Sequence, residues 1–450
     1  MSSPHDTLNL PRSLGDGLTL RLATPDDIEA VAEFNTQIHL EEGEPANFLR
    51  VWTKVLMSGQ HPTMTAQDFV LIEDSHKHKI VSATCLISQL WYYDGIPIQV
   101  GQPELVGTDL EYRRRGLMHV IFDAIHQLSA AYGHQMQGIT GIPWFYRQFG
   151  YEFALNLGGR RALPIANVPQ LNGDGTDPFQ IRPATVADIP ALVRLYQQCT
   201  EGKLITTPMD EARWRYELSG RSFAFQTYCI INDQQSVVGS CRGSTEVWRS
   251  AMGLWGIVVD EGVSLRAVLP AVTRKLKAHG EAYLADNQEN KDKEQKLVAI
   301  QFHLGADHPA YEAFDAKLGP LQKPYGWYIR VPDVPAFIRH IAPALEKRLA
   351  VSVMSGYSGE LNITFYRGGL WLVFDRGRLT TVEDWQQPLD RKKDPTGAGF
   401  PPLVFLKLLF GYRSLAELCD AFPDCWADEE PALLLNALFP KQASWIIQMV

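Results

Sequence analysis

No stretch of this chain stays apolar for the ~20 residues that a bilayer-crossing helix needs. The longest candidate, Pro402–Gly411, is too short and carries Lys407. The opening residues, MSSPHDTLNLPRS, lack the apolar centre of a secretory signal, so the cytoplasm is the expected compartment and no membrane partner is expected. Positive charge is in the minority, with 42 Lys and Arg against 51 Asp and Glu and a formal net charge of -9. A bulk electrostatic binder of nucleic acid needs the opposite balance, so that partner is disfavoured, while an acidic protein attracts cationic ligands. Cysteine is scarce: the six are Cys85, Cys199, Cys229, Cys241, Cys419 and Cys425, with no Cys-x-x-Cys pair and no His-Glu-x-x-His. That spacing supports neither a zinc site nor a redox motif, so buried free thiols and no metal are expected. Gly-x-Ser-x-Gly and Walker sequences are also missing, which leaves hydrolase and P-loop readings without support. What remains is an ordinary globular composition, 45% hydrophobic and 21% charged, over a length that suggests about three domains.

An internal repeat organises the chain. Leu20–Asn35 (LRLATPDDIEAVAEFN) and Ile181–Tyr196 (IRPATVADIPALVRLY) both read as a short strand, a Thr cap and an amphipathic helix, about 160 residues apart. Thr24 with Asp27, and Thr185 with Asp188, have capping-box spacing, and Pro25 suits the first helical position. That period is too long for a solenoid and suits two similar domains in tandem. Between them, Pro164–Pro178 ends in NGDGTDP, a turn-rich boundary, and Asp286–Glu294 (DNQENKDKE) reads as an exposed loop. The expected units are residues 1–165, 166–332 and 333–450. In the third, helices are expected over Ala336–Leu349, Leu403–Leu409, Ser414–Ala421 and Glu430–Leu438, and strands over Gly359–Phe365 and Leu370–Asp375.

The segment with the most chemistry is Glu104–Ser129, ELVGTDLEYRRRGLMHVIFDAIHQLS. A strand over Leu105–Thr108 leads through Arg113, Arg114, Arg115 and Gly116 into a helix. Leu117, Val120, Ile121, Ala124, Ile125 and Leu128 fall on one apolar stripe, with His119, Asp123, His126 and Gln127 on the polar face. Strand, basic turn and helix start make an anion site: unpaired amides point outward, the helix dipole favours negative charge, and arginines neutralise it. Gly116 lets a phosphate approach without a Cβ in the way.

Arg113-x-x-Gly116-x-Met118 resembles the Arg/Gln-x-x-Gly-x-Gly/Ala pyrophosphate motif of the GNAT acetyltransferases, with Met118 in place of the final small residue. The run Arg-Arg-Arg-Gly-Leu followed by a larger residue is similar to the enhanced intracellular survival (Eis) family. Gly141–Tyr151 (GIPWFYRQFGY) resembles that family's Tyr-x-x-Phe-Gly-Tyr segment. The resemblance implies an α+β (mixed α/β) fold of two tandem GNAT-like domains with central mixed sheets, followed by a sterol-carrier-like domain. It implies an acetyl-CoA-dependent N-acetyltransferase acting on a cationic amine such as an aminoglycoside or polyamine. Protein lysine is an alternative acceptor, and a non-catalytic lipid or ligand carrier is an alternative of another class. Acetyl-CoA would contact Val106, Gly107 and Thr108, then Arg113, Arg114, Arg115, Gly116, Leu117, Met118 and His119, with Gly141 and Ile142 nearby. Tyr146 matches the family's general acid. A carboxylate must take the amine's proton: the family's pattern puts the C-terminal group there, which is Val450, and Glu104 on the strand is the alternative. Glu41, Glu42 and Glu44 are candidates to line an acceptor mouth. The second repeat lacks the motif. Its segment Trp255–Leu269 (WGIVVDEGVSLRAVL) carries Asp260 and Glu261, which repel a pyrophosphate. Gly369–Asp375, Phe410–Leu415 and Phe422–Trp426 carry the likeness to the third domain. A homo-oligomer, trimer or hexamer, is implied by resemblance alone.

Overall fold

The computed structural model describes residues 3–39, 46–171, 177–219, 225–286, 295–386 and 397–447. It has the mixed α/β class expected, with three sheets. In the first, β1 (Arg12–Gly15), β2 (Leu18–Leu22), β3 (Phe69–Asp74), β4 (Lys79–Tyr93) and β5 (Ile96–Thr108) are antiparallel neighbours in chain order. Strand β6 (Met136–Ile139) then joins parallel to β5, and β7 (Glu152–Leu157) forms the far edge. Period-two alternation, interrupted on β4 by a bulge at Val81, separates the faces. Phe69, Leu71, Ala83 and Cys85 pack under α1 (Ile28–His39) and α2 (Ala46–Met57). Val70, Ile72, Val81 and Leu86 pack under α3 (Leu117–Ala131).

The second sheet runs β8 (Arg161–Pro164), then out of chain order through β14 (Ala299–Phe302), β13 (Ala251–Val259), β12 (Val237–Ser244), β11 (Phe225–Ile231) and β9 (Gln180–Pro183). The short β10 (Ile205–Thr206) pairs with β4 of the first sheet. Helices α4 (Ile189–Thr200), α5 (Glu211–Glu217), α6 (Leu265–Asp286) and α7 (Pro309–Phe314) accompany this sheet. The order repeats that of the first sheet, and β13–β14 is again a parallel pair. One feature crosses between them. Strand β15 (Tyr325–Arg330), at the end of the second expected unit, lies in the first sheet between β6 and β7. Strand β8, at the end of the first expected unit, lies beside β14 in the second sheet. The two sheets exchange strands.

The repeat shows itself in matching caps. Asp27 accepts the amide and hydroxyl of Thr24 at 2.7 and 2.9 Å, and Asp188 does the same for Thr185 at 2.8 and 2.9 Å. Each carboxylate also takes both terminal nitrogens of an arginine on the preceding strand, Arg21 or Arg182. The charged acceptor claims the threonine hydroxyl, so the opening turn tightens to a 3-10 turn before each α-helix.

The third sheet has β16 (Gly359–Thr364), β17 (Gly369–Asp375), β18 (Arg378–Asp384), β19 (Gly397–Gly399) and β20 (Trp426–Ala427). It is accompanied by α8 (Val334–Ala350), α9 (Phe405–Leu409), α10 (Leu415–Ala421) and α11 (Glu429–Leu438), all close to the expected spans. Its core continues into the first sheet, where Trp91, Tyr93 and Trp327 share one cluster with Phe337, Phe405 and Phe410. Lys407 reaches across to Glu152 at 2.9 Å. The six cysteines are free thiols, four of them buried. No helix among the described residues is long and apolar enough to cross a membrane. Residues 287–294 of the expected exposed loop lie outside the described residues.

Candidate active site

The site is built where β5 and β6 part. Their parallel pairing covers only Val100 with Met136 and Gly101 with Gln137. Beyond that β6 continues against β15, Ile139 facing Tyr328, while β5 runs on to Thr108. On the β4 side the register slips between Ala83 and Cys85, opposite Leu105, whose φ of 54° marks a bulge. The last residues of β5, including Val106, Gly107 and Thr108, therefore have no strand partner on the β6 side among the described residues. Amides and carbonyls along such an edge suit an extended ligand. The expected strand over Leu105–Thr108 is thus the end of a much longer one.

Thr108 leads into a basic turn. Arg113 is anchored to the Thr108 carbonyl at 3.2 Å, and Arg115 lies 4.7 Å from the Tyr112 ring centroid. Tyr112 is buried, and its hydroxyl donates to Asp74 at 2.5 Å. Arg114, at φ 64°, bonds no other described residue. All three guanidinium groups are exposed. Gly116 caps α3 at φ 74° with no side-chain bond to the first amides, and open space surrounds the position of a Cβ. Glycine is favoured here by the left-handed backbone as well as by room for a phosphate. Leu117 is buried, Met118 half-buried and His119 exposed. The result is a helix N-terminus without a side-chain cap, preceded in the chain by three exposed arginines, a combination that suits a phosphate.

Opposite stands Tyr146. After β6 the chain turns through Gly141 and Trp144 into a 3-10 helix, Phe145–Phe149. Phe149 stacks on Phe122 of α3 at 4.2 Å and packs against His119 at 5.0 Å, which holds this segment beside the helix start. Tyr146 is 4% exposed, among Phe122, Phe145, Tyr151 and Tyr328. Its hydroxyl makes no hydrogen bond to the described residues, and a Cβ at Gly141 would stand 3.3 Å from it. Gly141 therefore keeps the space in front of the phenol open. Burial, reinforced by Glu104 and Tyr328, pushes the Tyr146 hydroxyl above the ordinary phenol range and keeps it protonated. Ile142 is exposed beside it.

Glu104 faces the same region from β5. Its carboxylate accepts from the Gln102 amide at 2.7 Å, in a chain that runs on to Gln89 and Trp91. Desolvation outweighs that bond and raises Glu104 to about 7, the value expected of a base working near neutrality. His39 lies against Gly107 with a buried, unbonded Nε2. His126 was expected on the polar face of α3. It is half-buried instead and bonds the Tyr151 hydroxyl at 3.0 Å, because the chain after Tyr146 folds back over it. No group of three metal-ligating side chains forms among the described residues. Val450, Glu41, Glu42 and Glu44 lie outside the described residues. The last described residues lie along β10, where the Ile447 amide donates to Thr207 at 3.0 Å.

The second unit carries the same wedge without the same chemistry. Strands β13 and β14 pair from Ala251 to Leu254 and then part. Trp255 and His303 stack there, 3.9 Å apart and 1° from parallel. The turn that follows carries Asp260, bonded to Arg194, and then Glu261. A cavity of about 790 Å³ adjoins the stack, walled in part by Leu265, Lys203 and Trp445.

Residues 19–154 match the family of acetyltransferase (GNAT) domains. The first unit is a GNAT acetyltransferase domain. The chain is accordingly an acetyltransferase, and acetyl-CoA is the co-substrate used by the GNAT family that this domain matches. No curated protein matches it by sequence. Among solved structures, a GCN5-related N-acetyltransferase from Kribbella flavida is similar over 96% of this chain and 100% of its own, at 16% identity and a TM-score of 0.61. A probable N-acyltransferase from Enterococcus faecalis aligns over 96% and 100%, at 12% identity and a TM-score of 0.64. Eis1 from Mycobacterium abscessus aligns over 95% and 99%, at 13% identity and a TM-score of 0.56. At such identities the likeness is one of fold, and it extends over nearly the whole chain. Tyr328, His39 and Gln102 also border this candidate site and were not singled out from the sequence. Tyr328 comes from the exchanged strand, and no local motif announces it.

Proposed function

We propose that this acetyltransferase transfers the acetyl group of acetyl-CoA to a primary amine of a cationic acceptor by direct attack on the thioester. The observation that carries the reading is the unpaired end of β5 leading into the arginine turn and uncapped helix, with the Tyr146 hydroxyl opposite. In this reading the backbone of Val106, Gly107 and Thr108 aligns the pantetheine arm. The α3 amides and Arg113–Arg115 hold the pyrophosphate. Glu104 takes the proton of the incoming ammonium, so that a free amine attacks the carbonyl carbon. The carbon–sulfur bond breaks as the new amide forms, and Tyr146 gives its proton to the departing thiolate. The C-terminal carboxylate of Val450 is the alternative base. Juxtaposition supplies much of the rate, since a thioester is already activated.

We read the chain as two GNAT-like units over 1–165 and 166–332, apart from the exchanged strands, and a sterol-carrier-like unit over 333–450. The second would shape the acceptor side rather than hold donor. Thiol release from acetyl-CoA with a panel of amines, including aminoglycosides, polyamines and lysine peptides, tests the reading. Release above background with at least one amine is expected. Absence of calorimetric coenzyme A binding by the folded protein would refute it.

A further inference from the structure

The strand that completes the first sheet comes from the end of the second unit, and it brings Tyr328 to the site. Tyr328 faces Ile139 of β6 on one side and Phe153 of β7 on the other. Its ring centroid lies 5.8 Å from that of Tyr146. Its hydroxyl accepts the backbone N–H of Trp144 at 2.7 Å and the hydroxyl of Tyr325 at 3.4 Å.

Trp144 needs such a hold. Its backbone sits at φ 70° and ψ -30°, in the left-handed region that a bulky side chain rarely adopts. Its indole is 71% exposed, so side-chain packing does not fix the conformation. Among the described residues its backbone makes two hydrogen bonds. The carbonyl accepts from Arg147 within the 3-10 turn, and the amide donates to Tyr328. Only the second reaches outside the local segment. The loop so held, Gly141 to Trp144, ends two residues before Tyr146 and faces its hydroxyl through Gly141.

We infer that Tyr328 is a positioning residue for the donor site: its hydroxyl clamps the Trp144 amide, and through that loop its ring and bond set the direction of the Tyr146 phenol. This rests on the donor-site reading above. A residue carried by the second unit's end would thereby govern transfer at the first unit's site.

The test uses the full chain with acetyl-CoA and the best amine. Tyr328→Phe keeps the ring and removes the clamp. Its kcat/KM for acetyl-CoA should fall at least tenfold, with the amine KM within twofold and the melting midpoint little changed. Trp144→Gly removes the need for the clamp, because glycine adopts this backbone freely. Adding Tyr328→Phe to Trp144→Gly should therefore cost less than threefold. A single variant within twofold of wild type overturns the proposal. So does a double variant that still loses tenfold relative to Trp144→Gly. Should Tyr328→Phe alone not fold, the double variant decides: folding and working like Trp144→Gly supports the clamp, and inactivity overturns it. Calorimetry with coenzyme A separates the two failures. Wild-type protein that does not bind breaks the donor-site reading itself. Binding with an unaffected Tyr328→Phe breaks only this inference.

Discussion

The first and second units share a framework and differ in what fills the wedge. Each has the same strand order, a parallel pair that parts after a few residues, and a threonine–aspartate–arginine cap on its first helix. In the first the wedge opens onto three arginines and an uncapped helix. In the second a tryptophan–histidine stack stands where the strands part, and the turn carries acids. A fold of this kind makes the gap between strands, and a handful of side chains decides whether a ligand enters it.

The sharpest way to break that contrast is to treat both turns alike. Gly116→Glu should weaken coenzyme A binding by about a hundredfold or more, because a carboxylate then faces the pyrophosphate. Gly262→Glu, at φ 83° in the second unit's turn, carries a similar backbone penalty of about 1–2 kcal/mol and should leave that affinity within twofold by calorimetry. Equal losses would show that strain, not charge placement, is responsible.

Next in size, Tyr146→Phe should lower kcat about a hundredfold while coenzyme A still binds, as removal of a general acid does. A thiol-release assay beside calorimetry separates the two effects. In the proposed mechanism the base gives a pH signature. Glu104 is protonated below about 7 and charged above it, so activity should rise with pH through that value. Glu104→Gln should lose this rise, with about a tenfold deficit on the alkaline side. A rise that persists in the variant would move the role to another group.

The smallest effects test the shared framework. Arg21→Ala and Arg182→Ala should each cost about 1–2 kcal/mol in denaturant unfolding, because each leaves a capping carboxylate unpaired. Arg21 should cost more, since it also bonds Glu73 at 2.7 Å. Arg21 holds Asp27 down at about 2 in the folded state, against an ordinary carboxylate near 3.8. The pair's contribution is therefore complete above pH ~3.8 and is lost as the pH falls towards ~2. The difference between wild type and Arg21→Ala should shrink over that window.

The caps, the buried stripe of α3, the arginine turn and Tyr146 were legible because each is written in neighbouring residues. Thr24 and Asp27 are three apart, and the stripe from Leu117 to Leu128 follows one helical face. The bulge at Leu105 was not legible, since its left-handed backbone follows from a register slip against β4. Nothing near Trp255 in the sequence announces its stacking partner His303, which follows β14. Most opaque was β15, because nothing in YGWYIR says which of two similar sheets it will complete.

That traded strand has a consequence for synthesis. A nascent chain that has emerged through residue 165 carries the arginines, Gly116 and Tyr146, yet its sheet still lacks the ribbon that braces β6 and β7. At translation speeds of about 5–20 residues per second, many seconds separate the two events. The first sheet stays unfinished on the ribosome until the residues of the second have been made.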